Sequence, residues 1–341
     1  MPPDLWALDL LRPQIKEMVQ YKWELTEVLN QSSATASPIR DSDWDRMRFY
    51  SSRITHLALS HCPCSLSRIL PSLSAALPET LFPNVQILAW PSGRDGEELP
   101  HIRMFLRPTL TSLSFGALSH SAAPVLAILP TKCPRITTLY ATAVDMHDLL
   151  TGIATSLSCN SLTHIGIGSR YSTHVILHRD LQLLKPFSNL TDFHIGSPLG
   201  FDLDDDAVLD LVRTWPQLRS CSFEAISPTH TPRTTLRCLY YFAQHCRHLH
   251  ILAIPFDATT VPSFVLPPGL DGQHPLVHID VEQSPVTDTA IAVAQFLSAV
   301  LPRLREITTR REYDNNNKDD LEDDLEDDGV EALLPAAVHM E

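Results

Sequence analysis

The sequence predicts an α/β fold, a horseshoe-shaped solenoid with a parallel β-sheet on its concave face and helices on its convex face. Three observations predict it. One short apolar pattern recurs ten times at nearly constant spacing. The stretches between recurrences carry apolar residues at helical intervals. The chain is rich in proline, with 27, and poor in glycine, with 11, and prolines sit just ahead of several pattern segments.

The pattern is apolar, two residues, apolar, one residue, apolar. It runs through Ile54/Leu57/Leu59, Val85/Leu88/Trp90, Leu110/Leu113/Phe115, Ile136/Leu139/Ala141 and Leu162/Ile165/Ile167. It continues through Leu190/Phe193/Ile195, Leu218/Cys221/Phe223, Leu249/Leu252/Ile254, Leu276/Ile279/Val281 and Leu304/Ile307/Thr309. Successive units are 31, 25, 26, 26, 28, 28, 31, 27 and 28 residues apart. That spacing sits at the leucine-rich-repeat period of about 20–29 residues, with two slightly long units. The last two apolar positions are two apart, so on a strand both point to one side. One unit cannot hide that side alone, and stacked neighbours bury it together.

The return segments read as helices. Asp204–Trp215 places Ala207, Val208, Leu211, Val212 and Trp215 on one side, and Thr234–Cys246 does so with Leu236, Leu239, Tyr240, Ala243 and Cys246. Asp288–Leu301 places Ile291, Phe296, Leu297, Val300 and Leu301 likewise. Asp202, Asp204 and Asp288 stand where N-caps are expected. Pro83, Pro134, Pro216 and Pro302 each precede a strand pattern, and proline disfavours helix at the residue before it.

Three regions follow: a helical N-terminal cap over 1–52, a repeat domain of about ten units over 53–311, and a disordered acidic tail over 312–341. The tail segment Asp314–Asp328 holds seven Asp and two Glu against Lys318, a net −8 of the chain's −14. Like charges so dense repel one another and stay solvated. The repeats are then only mildly acidic and carry no basic stripe, which argues against nucleic-acid binding. The first residues lack a basic n-region and a cleavage site, and no apolar run approaches the roughly 18 residues of a membrane span. Seven cysteines read as free thiols of a reducing compartment, so the expected location is cytoplasmic or nuclear.

Candidate binding residues are the polar ones that alternate with the buried strand positions and so face the concave side. His56, His164 and His278 stand one before the second apolar residue, and His194 stands between the last two. With Tyr140, Asp192, Glu224, Asp280, Glu282 and Glu306 they form a candidate partner-binding face, acidic toward the C-terminal half. Such faces are where solenoids bind proteins. The same residues also fit ordinary solvated strand positions.

No catalytic site, cofactor site or metal site is read. The segment His245-Cys246-Arg247-His248 has no second ligand pair, which zinc needs, and Cys62-Pro63-Cys64 reads as a turn. Asp202–Asp206 lacks the glycine and distal Glu of a calcium loop, Arg213 standing where that Glu belongs. The P-loop, nucleophile-elbow and zinc-protease motifs are missing. The expectation is a binding protein and not an enzyme.

The stretch Asp43-Trp44-Asp45-Arg46 through Phe49-Tyr50-Ser51-Ser52-Arg53-Ile54, just ahead of the first unit, resembles the lead-in to the repeats of fungal, basidiomycete-type F-box/leucine-rich-repeat proteins. Asp4-Leu5-Trp6 resembles the segment that follows the F-box there. The resemblance implies the substrate-recognition part of an SCF-type ubiquitin-ligase receptor, in which an F-box docks the Skp adaptor and through it the cullin, while the repeats hold a protein target. No F-box opening precedes Trp6, so Skp and cullin are expected partners only if an F-box lies upstream. The alternatives are a remnant of such a receptor, an interaction scaffold without ligase coupling, or a repeat protein resembling the Ran GTPase-activating group, for which no Arg-bearing catalytic turn is found.

Overall fold

The computed structural model describes residues 49, 51–59, 82–90, 99–117, 122–169, 174–225, 231–262, 274–282, 284–285 and 290–309. Most of the expected N-terminal cap, the Cys62–Cys64 turn, Asp288 and the acidic tail lie outside them.

Among the described residues ten strands form one sheet in which every neighbouring pair is parallel. They are β1 (His56–Ala58), β2 (Ile87–Ala89), β3 (Ser112–Ala117), β4 (Thr138–Ala143), β5 (His164–Gly168), β7 (Asp192–Ser197), β9 (Ser220–Ala225), β10 (Ile251–Ala253), β11 (His278–Asp280) and β12 (Glu306–Thr308). They lie side by side in chain order. A second parallel ladder of two short strands, β6 (Ile176–Leu177) and β8 (Phe201–Asp202), joins two successive return segments. The main register is that of the apolar pattern. Leu57 pairs with Leu88, Leu88 with Leu113, Leu113 with Leu139, and so on through Ile165, Phe193, Cys221, Leu252 and Ile279 to Ile307.

Parallel neighbours need a crossover, and helical segments supply it. Among the described residues these are a 3-10 helix (Leu99–Met104) and α1 (Ala123–Leu126), α2 (Leu129–Lys132), α3 (Met146–Ser156), α4 (His178–Gln182), α5 (Asp205–Val212), α6 (Arg237–His245) and α7 (Ala290–Val300). The Asp204 carboxylate accepts from the Ala207 N–H at 2.9 Å and caps α5, and Asp145 caps α3 through the Asp148 N–H at 3.0 Å. Asp202 does not cap a helix. It ends β8 and takes the Arg233 guanidinium at 2.8 Å, because the chain stays extended for two more residues before α5 begins. Pro134 follows the C-cap of α2, and Pro302 comes two residues after α7 ends. On α7 the buried residues are Val293, Phe296, Leu297 and Val300. Ile291, expected on that side, is 78% exposed, since five residues ahead of Phe296 it is rotated well off the buried stripe.

The core is one continuous cluster between sheet and helices. Its centre is aromatic: Phe193 lies 4.8 Å from Trp215 and 5.6 Å from Phe223, which meets Phe201 edge-on at 5.5 Å. A polar ladder runs along the strand starts. The hydroxyls of Thr111, Thr137, Thr163 and Thr191 each donate to a carbonyl one repeat back, those of Gln86, Thr111, Thr137 and Thr163. The same carbonyls also accept two backbone N–H groups each. Among the described residues no helix is long and apolar enough to cross a membrane.

Candidate binding face

The sheet buries one set of side chains and leaves the alternate set uncovered, because successive residues of a strand point to opposite sides. β4 and β9 show the alternation over six residues each, half-buried then buried. Two uncovered rows result. The first contains His56, Thr138, His164, Asp192, Ile251, His278 and Glu306, and the second contains Tyr140, Gly166, His194 and Asp280. Glu224 stands one pleat further along, opposite Gly196.

The register gathers the expected residues into groups. Tyr140, His164, Asp192, His194 and Glu224 occupy the contiguous strands β4, β5, β7 and β9. His278, Asp280 and Glu306 occupy β11 and β12. Four interstrand steps, about 19 Å, separate β5 from β11, and the same distance separates β5 from His56 on β1, which stands apart. Glu282 does not stand on this face. It is buried, 4% exposed, and lies past the end of β11 at a φ of 52°, where the left-handed backbone breaks the strand alternation. Its N–H is taken by the Asp280 carboxylate at 2.8 Å.

In each group a histidine meets a carboxylate on the following strand. His164 Nε2 lies 3.0 Å from Asp192 Oδ2, His194 Nε2 3.4 Å from Glu224 Oε2, and His278 Nδ1 3.4 Å from Glu306 Oε2. His278 also places Nε2 3.1 Å from the Thr308 hydroxyl. Burial works to raise the Asp192 carboxyl, but hydrogen bonds from His164 and from the Thr191 hydroxyl at 2.6 Å, with the nearby charge of Arg219, outweigh it and hold the group below its ordinary value. The Tyr140 phenol is pushed up to about 12, first by burial and then by the Asp192 charge. Its ring occupies the space over Gly166, where any side chain would collide with it.

Sequence reasoning missed several features. Ile87 and Ile251 share the first row and are 36% and 48% exposed, so the face is not purely polar. Their position, one before the second apolar residue, was available as a signal. Two more histidine pairs tie return segments together: His147 to Asp180 at 3.0 Å and His178 to Asp210 at 3.1 Å, with Lys185 on Asp210 at 2.8 Å. The hydrogen bond from Lys185, then its charge and those of His178, hold the Asp210 carboxyl below its ordinary value against modest burial. These partners are 33 and 32 residues apart, about one repeat. The Thr163 hydroxyl stands 2.8 Å from His164 Nδ1, but the same bond joins Thr55 to His56 at 2.9 Å far from the group. It reflects adjacency on a strand and does not build a nucleophile relay. Among the described residues no group of His, Cys, Asp or Glu is arranged to hold a metal ion.

No family model matches the chain, and no curated protein matches it. Among solved structures, a chain of the Rad7 and Elc1 complex in yeast is similar over 90% of this chain and 93% of that chain, at 11% identity and a TM-score of 0.37. A likeness that distant assigns neither partner nor activity.

Proposed function

We propose that this chain is a leucine-rich-repeat horseshoe that binds a protein target on its helix-free face, and that it is the substrate-recognition part of an SCF-type ubiquitin-ligase receptor or a remnant of one. One observation carries the binding reading: adjacent parallel strands present Tyr140, His164, Asp192, His194 and Glu224 together on the uncovered side, with the exposed Ile251 close by. An aromatic ring, an exposed aliphatic side chain and paired charges on a rigid sheet are what a protein interface needs. The ligase reading rests on the lead-in stretch. There the Arg53 guanidinium lies 3.9 Å from the centre of the Phe49 ring and Ser51 is buried, so these residues are built into the start of the repeats.

The test is affinity purification of the full chain with quantitative mass spectrometry. The unaltered chain is compared with Y140A/D192K and with D280K/E306K. Targets lost from either variant, with its circular dichroism unchanged, place binding on this face, whereas identical recovery from all three chains removes that reading. Enrichment of a Skp-type adaptor and a cullin supports ligase coupling, and a target recovered without them supports the plain scaffold.

A further inference from the structure

The last rung of the solenoid is open. Nine of the ten residues in the buried row are at most 6% exposed, and the tenth, Ile307, is 52% exposed. Among the described residues β12 has a sheet neighbour on one side only, β11. Beside Ile307 lies an apolar groove of about 530 Å³, walled by Phe256, Val281, Val293, Leu297 and Leu301. An open row end of this kind is a solvation cost in the isolated repeat array and an invitation to association.

We infer that the groove is filled by the chain's own C-terminal segment, Val330–Met340, acting as the terminal cap. Three features favour this occupant over a second copy or another protein. The first is composition. Beyond the acidic run the sequence turns apolar, with Val330, Leu333, Leu334, Val338 and Met340 in eleven residues. The second is reach. Thr309 itself lines the groove, and residues 310–329 connect it to Val330. Twenty residues tether Val330 to the edge of the groove, so the segment is confined near it at an effective concentration on the order of millimolar. The third is charge. Arg305 lines the groove and Arg303 is two residues before it, both exposed, and their charge is opposite to that of the acidic run Asp314–Asp328 that joins the groove to the apolar segment. Burying Ile307 and the groove wall under Leu333 and Leu334 removes the apolar surface that the repeats leave uncovered.

Hydrogen–deuterium exchange on the full chain tests this, comparing it with L333D/L334D and with a chain ending at Asp328. Both changes lie outside the repeats, and an unchanged circular dichroism spectrum checks that the repeats keep their fold. The cap predicts that amides of 330–338 exchange more slowly than those of 314–328, and that Glu306–Thr308 exchange about tenfold faster in both variants. Tail amides as fast as the acidic run, or β12 exchange that neither variant alters, overturn the proposal. Light scattering of the full chain at micromolar concentration should give a monomer. A dimer that persists in L333D/L334D with β12 still protected puts a second copy in the groove and likewise overturns it.

Discussion

The Tyr140 ring lies over Gly166 of the next strand, so close that a Cβ built on Gly166 would stand 2.2 Å from Tyr140 Cδ1. Glycine is required there by the ring above it and not by backbone torsion. Gly166→Ala therefore forces Tyr140 to rotate away from the sheet. Overpacking of this kind costs about 1–3 kcal/mol, and half-exposure lets the ring relieve it at the low end. The specific readout is the phenol. Tyr140 should ionise near 12 in the unaltered protein and move toward its ordinary value of 10.0 in the variant, as ultraviolet titration against Tyr140→Phe will show. A titration unaltered by the substitution would mean that the ring does not depend on Gly166.

Core and ladder should separate by magnitude. Leu139 is fully buried in the middle of its row, and Leu139→Ala should cost about 2–5 kcal/mol in urea unfolding. Thr137→Val deletes the hydroxyl bond to the Thr111 carbonyl, yet that carbonyl keeps the N–H groups of Thr137 at 2.9 Å and Thr138 at 3.1 Å. No buried acceptor is orphaned, so the cost should stay below about 1 kcal/mol. A ladder mutant as damaging as the core mutant would show that the threonines set the register.

The ten rungs were legible in the sequence because pattern and register are one thing here: the second apolar residue of each unit pairs with that of the next, from Leu57 to Ile307. Which charges meet was not legible. His164 reaches Asp192 and His178 reaches Asp210 only because strands and helices one repeat apart stack in a fixed stagger. The β6–β8 ladder left no alternation to read, since its strands are two residues long. Asp202 and Asp204 are equivalent as cap candidates until it is known that the chain stays extended through Leu203. Glu282 satisfies the strand alternation on paper, and only the positive φ removes it from the face. The threonine ladder was visible as a Thr after the first apolar residue of five units, four of which, Thr111, Thr137, Thr163 and Thr191, join the ladder, but a single-strand reading gives that hydroxyl no partner.

Among the described residues the four buried thiols should be inert in the native state. Burial pushes Cys133 up to about 11 and Cys246 up to about 12, and it raises Cys221 and Cys238 well above their ordinary value. The thiolate is the reactive species, so alkylation at neutral pH should spare these four. Cys159, half-buried in a turn, should react before them. Peptide mapping after a short iodoacetamide pulse distinguishes the sites. Labelling of Cys221 or Cys246 as fast as Cys159, under native conditions, would contradict the packing around β9 and α6.

His274 should make stability fall with acid. It is 8% exposed, and its ring bridges two backbone groups: Nε2 donates to the Cys246 carbonyl at 3.0 Å, while Nδ1 accepts from the Leu276 N–H at 3.3 Å. Only the neutral ring can do both, since a proton on Nδ1 ends the bond from Leu276. Burial lowers the pKa first, the Cys246 bond works the other way, and the neighbouring His250 lowers it further. The unfolded chain therefore binds a proton at higher pH than the folded one, and stability rises with pH between the two values. Full stability is expected above the ordinary histidine value of 6.5, with progressive loss as pH falls through the lower folded value. His245 is shifted the same way, by burial and then by Arg213, so His274→Gln should shrink this step without abolishing it. Below pH 3.8 the depressed carboxyls of Asp192 and Asp210 add a second loss as they protonate. Urea unfolding at intervals from pH 8 to about pH 3 measures both steps. A His274→Gln profile that superimposes on the unaltered one would assign the first step to other groups.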